Sequence, residues 1–251
     1  MTDFAYQLYS SRTEPLAETL PMLARAGYRA VEGYGALYAD ADKVAELQGL
    51  LAASGLAMPT GHFSLAMIED EPDRVLEIAR ALGIETIYVP YLLPEARPDD
   101  AEGYRAFGAR LQAASRPFRD AGLGFGWHNH AFEFEPLADG TLPQAAIFEG
   151  GPDLEWEADL AWVIKGGGDP LRFIGEWGDR LTAVHVKDIA PEGENADEDG
   201  WADVGHGTVD WPALLTALEA TSARHFVLEH DKPSDPTRFA TRSIATLLQT
   251  A

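Results

Sequence analysis

Eight apolar runs of strand length recur along the chain, seven of them followed by a segment with helical spacing, and no linker or shift in composition interrupts the series. Phe4–Ser10 reads as the first strand, and Pro15–Ala26 as a helix whose Leu16, Leu20, Leu23 and Ala24 recur at helical intervals before Gly27 stops it. Further strands are predicted at Ala30–Tyr34, Ala57–Phe63, Thr86–Leu92, Gly124–His130, Leu154–Leu160, Leu181–Asp188 and His225–Asp231. Helices are predicted at Ala41–Ala53, Pro72–Leu82, Asp99–Ala121, Asp169–Trp177, Trp211–Ala220 and Pro236–Gln249, and the Pro- and Gly-rich stretch Glu135–Gly151 as a long loop over one face. Each unit averages roughly thirty residues, the size of one βα unit. Strict alternation makes the strands parallel with the helices outside them. Eight units without a break favour one closed (β/α)₈ barrel domain over residues 1–251 rather than an open sheet.

An open dinucleotide-binding sheet would show G-x-G-x-x-G after its first strand, and none is present. Gly166, Gly167 and Gly168 come after the sixth strand and read as a helix cap ahead of Asp169-Pro170. The chain has no cysteine, which removes disulfides, thiolate nucleophiles and Cys-ligated zinc. Its formal net charge of −22 repels nucleic-acid phosphates, so no nucleic-acid partner is expected. The chain does not open on a basic region followed by a long apolar run, and no segment approaches about 18 uninterrupted apolar residues. A cytoplasmic protein without a membrane partner is therefore the expectation, and a homo-oligomer is compatible with the sequence.

Barrels of this kind place their chemistry at the C-terminal ends of the strands. Glu32, His62, His128, His130, Asp159, His185 and Glu229 all stand at or near such ends. Several carboxylates brought into one barrel mouth repel each other unless a cation lies among them, so a shared divalent-metal site is the economical reading. One histidine with two or three carboxylates suits Mn²⁺ first, with Mg²⁺, Co²⁺ or Zn²⁺ as alternatives. Asp159 also reads as the N-cap of the helix that follows it. Trp162 is a candidate apolar wall against a sugar ring, His62 a candidate substrate contact at the end of the third strand, and His206, in Gly205-His206-Gly207, a candidate substrate contact from the long acidic loop after the seventh strand.

W-H-N-H-A-F-E-F, the D-L-A-W-V segment, H-V-K-D, G-H-G-T-V-D-W and V-L-E-H-D, set in eight units, together resemble the sugar phosphate isomerase/epimerase family of the xylose isomerase-like TIM barrel superfamily. The resemblance covers essentially the whole chain and is specific for the superfamily, not for the substrate. It implies a divalent metal held by Glu, Asp, His and Glu from the fifth to eighth strands, the last three falling on Asp159, His185 and Glu229. Many members carry E-N-H in the fifth strand, where this chain has His128. Either His128 is the remaining ligand or Glu133 reaches back from just beyond the strand, and Glu133 restores the family's ligand set. The resemblance also places His130 toward the substrate as an acid/base group and makes Lys187 a contact of the substrate or of the ligands.

The reaction implied is metal-assisted proton transfer beside a carbonyl of a small-molecule sugar, keto-sugar or polyol through an enediolate-type intermediate, giving isomerisation or epimerisation. Glu229 and a fifth-strand group, His130 or Glu133, would face opposite sides of the reacting carbon. A lyase or dehydratase acting on a keto-sugar or cyclitol differs only in where the proton and hydroxyl end. A non-catalytic metal- or sugar-binding barrel and an endonuclease acting at abasic DNA are the alternatives from other classes, and the acidic charge opposes the nuclease.

Overall fold

The computed structural model describes residues 3–250. Eight parallel strands close into a barrel: β1 (Phe4–Gln7), β2 (Ala30–Gly33), β3 (Ala57–His62), β4 (Thr86–Val89), β5 (Gly124–His128), β6 (Glu155–Asp159), β7 (Leu181–Val186) and β8 (His225–Leu228). Each strand pairs with its neighbours in sequence, and β1 pairs with β8 through Phe4 and Phe226, so the barrel has no free edge. The strands are four to six residues long and almost wholly buried, because the barrel interior covers one face and the helices the other.

The helices start and stop where local chemistry dictates. Asp40, Asp100 and Asp210 accept main-chain N–H bonds as N-caps, worth about 1 kcal/mol each. The helix Pro72–Leu82 opens on proline, buries Val75, Leu76, Ile78, Ala79 and Leu82 on one face, and ends at Gly83. Between strands and helices lies an aromatic layer in which Trp127 meets Phe107 edge-on at 5.2 Å and Trp156 meets Trp177 at 5.6 Å. No helix among the described residues is long and apolar enough to cross a membrane.

The structure departs from the sequence reading in several places, the eighth strand among them, which stops at Leu228 rather than Asp231. β1 stops at Gln7 and passes into a 3₁₀ turn, Leu8–Ser11. β4 stops at Val89, ahead of Pro90, which has no N–H to continue a ladder. The helix expected over Asp99–Ala121 is two, Ala101–Ala114 and Arg116–Asp120, divided just before Pro117. The stretch expected as a loop, Glu135–Gly151, contains the helix Pro143–Gly150. That helix lies unusually close to Ala101–Ala114, since a Cβ at Gly108 would strike the Ile147 carbonyl and one at Gly150 the Arg105 carbonyl.

Two irregularities aim the site. The register shifts in β2 against β3 between Ala30 and Glu32, and in β6 against β7 between Trp156 and Glu157. Such bulges bend a strand and redirect the side chains beside them. After its shift β6 sets Asp159 opposite His185, while on its other edge Glu157 stands opposite His128.

Candidate metal centre

The strand ends deliver two donor groups that share His185: His62, His128, Glu157 and His185 form one, and Asp159, His185 and Glu229 the other. Within each group one ligand atom from every residue lies within 4.8 Å of the rest. In the inner group Glu157 Oε2 is 2.5 Å from His62 Nε2 and 3.1 Å from His128 Nδ1, and Glu157 Oε1 is 3.6 Å from His185 Nε2. Glu32 adjoins it, with Oε1 2.8 Å from His185 Nε2 and 3.2 Å from His62 Nε2, and accepts a 2.7 Å bond from Gln7 Nε2. Glu157 falls in the strand E-W-E-A-D two residues before Asp159, so the two-residue strand period places both carboxylates on the barrel side.

In the outer group His185 Nδ1 is 2.9 Å from Glu229 Oε2. Lys187, fully buried two residues beyond His185, holds its ammonium 2.9 Å from Glu229 Oε2, 3.2 Å from Asp159 Oδ2 and 2.9 Å from Asp231 Oδ1. The ammonium also faces the rings of Trp162 and Trp201, at 5.3 and 4.6 Å from their centroids. Asp159 is an N-cap as the sequence suggests: its Oδ1 accepts from Trp162 N at 2.9 Å and starts the short helix Leu160–Lys165.

The surroundings set the charges. Burial raises Asp159 to about 6 against the pull of Lys187 and His185. Burial would also raise Glu229, but Lys187 and His185 outweigh it and hold the carboxyl well below its ordinary range. Lys187 is raised despite burial, because Asp159, Asp231 and Glu229 surround it. Burial lowers His128 to about 3, with the neighbouring His185 adding to the effect. His130 is lowered well below its usual value by burial and then by His128 and Lys187, so it is a neutral imidazole at physiological pH.

The structure brings Asp159, His185 and Glu229 together and sets Lys187 between two of them. His62, expected to contact substrate, instead stands among the inner donors. His128 joins that group too, whereas Glu133 does not join either. The 3₁₀ turn Phe132–Phe134 carries Glu133 back so that its carboxylate accepts from Trp127 Nε1 at 3.1 Å and His130 N at 2.9 Å, in a buried site that raises it to about 8. His130 packs at the mouth between the rings of Tyr91, His128 and Trp162, at centroid distances of 4.8, 5.1 and 5.5 Å. His206 is exposed on the outer side, where its ring nitrogens meet Arg242 Nη2 at 3.1 Å and Thr246 Oγ1 at 3.2 Å of the last helix. Sequence reasoning passed over Glu157 altogether and assigned Glu32 no role.

A divalent cation suits this set of groups. Glu32 Oε2 and Glu157 Oε1 are buried without a hydrogen-bond partner, a costly state for two carboxylate oxygens in one barrel mouth. Nitrogen and carboxylate oxygen are the donors that Mn²⁺, Co²⁺ and Zn²⁺ accept.

A sequence model of the xylose isomerase-like TIM barrel family matches residues 20–249. The chain belongs to that family. Several solved structures superpose on it over nearly their full length. A sugar phosphate isomerase/epimerase from Parabacteroides distasonis, 18% identical, aligns with a TM-score of 0.81 over 100% of this chain and 94% of its own. The probable 3-DHS dehydratase involved in petrobactin synthesis from Bacillus anthracis, 12% identical, gives 0.73 over 98% and 99%. A xylose isomerase-like TIM barrel protein from Mycobacterium smegmatis in complex with magnesium, 15% identical, gives 0.72 over 100% and 96%. At such identities the likeness establishes the fold alone. No protein of curated function matches the chain significantly.

Proposed function

We propose that this xylose isomerase-like barrel is a divalent-metal-dependent isomerase or epimerase of an unphosphorylated sugar, keto-sugar or polyol. The observation that carries the reading is a pair of groups at one mouth with opposite proton status: an ionised Glu229 carboxylate and a neutral His130 imidazole, beside a buried set of metal-type donors. A carboxylate held ionised can accept a proton from a carbon next to a carbonyl and give it back, and a neutral imidazole can donate a hydrogen bond to the carbonyl oxygen. A divalent cation bound at this mouth supplies charge stabilisation for neighbouring substrate oxygens. The two contacts on Glu229, from Lys187 and His185, both fall on Oε2 and fix the carboxylate without engaging Oε1. Tyr91, Phe132 and Trp162 around His130 provide aromatic faces for the C–H side of a sugar.

The choice of an unphosphorylated substrate rests on the cations around the mouth, whose nearest partners lie within the protein, Lys165 against the Asp199 carbonyl and the Trp201 ring among them. Lys187 is held by three carboxylates, and Lys232 by Asp199 at 2.9 Å. Arg12 donates to the Asp231 carbonyl at 2.8 Å, and Arg97 to Leu92 O and the Tyr91 hydroxyl. The decisive experiment incubates the Mn²⁺-loaded protein in D₂O with ketoses, 3-keto-sugars and inososes and follows deuterium uptake at carbon by NMR. Uptake with a change of configuration or carbonyl position, lost in Glu229→Gln and His130→Ala, supports the proposal. Loss of water from the substrate would replace it with a dehydratase, and no exchange by the metal-loaded protein would leave a binding protein.

A further inference from the structure

The two donor groups are not equivalent, and the difference lies in which atoms are already committed. Every close contact of the outer carboxylates is with a protein donor: Asp159 Oδ1 caps Trp162 N, Asp159 Oδ2 faces Lys187 Nζ at 3.2 Å, and Glu229 Oε2 meets both Lys187 Nζ and His185 Nδ1 at 2.9 Å. A divalent ion placed between Asp159 and Glu229 would stand beside a fixed ammonium, and like charges at such spacing repel strongly in a buried site. The inner group holds no lysine or arginine, only imidazoles whose protons a metal ion can displace. Among the described residues the ion-pair partners of Glu157 and Glu32 are histidines alone, His62, His128 and His185 for the first, His62 and His185 for the second. Two carboxylate oxygens buried without a hydrogen bond, Glu32 Oε2 and Glu157 Oε1, also belong here.

His185 joins the two groups in a definite sense. Its Nδ1 lies on Glu229 and its Nε2 faces Glu157 and Glu32. With Nδ1 donating to Glu229, loss of the Nε2 proton now directed at Glu32 would leave a lone pair on Nε2, the usual way a ligating histidine is oriented.

Resting on the metal-dependent reading above, we propose that the cation is held by His62, His128, Glu157 and His185, and that Lys187 is the permanent counter-charge of Asp159 and Glu229. Asp159 and Glu229 are then free of metal, the first positioning Lys187 and the second orienting His185 while facing the substrate. Three imidazoles and one carboxylate favour Zn²⁺, Co²⁺ or Fe²⁺ over Mg²⁺ and bind Mn²⁺ more weakly.

The test needs no substrate. Pulsed EPR of the Mn²⁺-loaded parent counts directly bound nitrogens, and calorimetric titration with Co²⁺ compares His62→Gln, His128→Gln and Asp159→Asn, each checked for native circular dichroism. The expected result is coupling to three imidazole nitrogens, a loss of roughly a hundredfold or more in Co²⁺ affinity for both histidine variants, and Asp159→Asn within about threefold of the parent. One nitrogen in the parent, or a large loss in Asp159→Asn with the His62 variant unaffected, overturns the assignment. The nitrogen count comes from the unmodified chain, so it decides even where a variant fails to fold. Three nitrogens with no deuterium exchange on any substrate would leave this site correct and the proposed reaction wrong.

Discussion

Lys187 Nζ and Glu229 Oε2 lie 2.9 Å apart at the top of the barrel, both buried. Asp159 and Asp231 crowd the same ammonium. Removing one partner of such a group leaves uncompensated charge in a low-dielectric site, which typically costs about 3–5 kcal/mol. Lys187→Met is expected to lose stability on that scale in urea unfolding, far more than loss of a surface lysine. A change below about 1 kcal/mol would mean that water, not the ammonium, solvates these carboxylates.

Trp162 lies tilted against His130 and meets Trp201 edge-on at 4.7 Å. Trp162→Ala should raise KM roughly tenfold, the scale of one lost aromatic contact, and change kcat much less. Steady-state kinetics on whichever substrate exchanges deuterium checks this, and an effect confined to kcat would place Trp162 in the proton transfer instead.

Gly108 faces the Ile147 carbonyl across two packed helices, with no room for a methyl group. Gly108→Ala forces those helices apart and is expected to cost about 1–3 kcal/mol. Thermal unfolding monitored by circular dichroism measures it, and an unchanged midpoint would show that the helix Pro143–Gly150 shifts freely on its neighbour.

Glu198, on the loop after β7, is held at about 2 although burial opposes ionisation, because Ser234 and Arg238 donate to its carboxylate. A carboxyl lower in the folded than in the unfolded chain contributes stability that is complete above the unfolded value of 4.5 and is lost as pH falls through about 2. Urea midpoints of the parent should therefore fall between pH 5 and pH 2 more steeply than those of Glu198→Gln. Parallel curves for the two proteins would place the carboxylate in solvent.

The closed barrel was legible because its signal is spread over eight units, and the errors fall where one residue overrides a periodic pattern. Pro117 divides a helix, and Gly108 and Gly150 permit a close helix contact in a segment whose prolines and glycines imitate a loop. At the site, Asp159, His185 and Glu229 follow from strand ends alone. Glu157 shared the same two-residue period but was masked by the tryptophan before it and the cap residue after it. Glu133 shows the opposite failure. It is near the fifth strand in sequence, yet a three-residue turn directs it to Trp127, and no spacing rule reports the direction of a turn.

Asp188 receives the main-chain N–H groups of Ile189, Gly205, Gly207 and Val209, so both feet of the loop between them stand on one carboxylate. The loop begins and returns through the small antiparallel ribbon of Asp188–Ile189 with Trp201–Ala202. Within it Glu198 is tied to Ser234 and Arg238, and the exposed residues before it are free of the barrel wall. Residues 191–197 can be lengthened, shortened or exchanged while the strand ends beneath keep their spacing, which makes this stretch a natural place for members of one fold to diverge in what they admit.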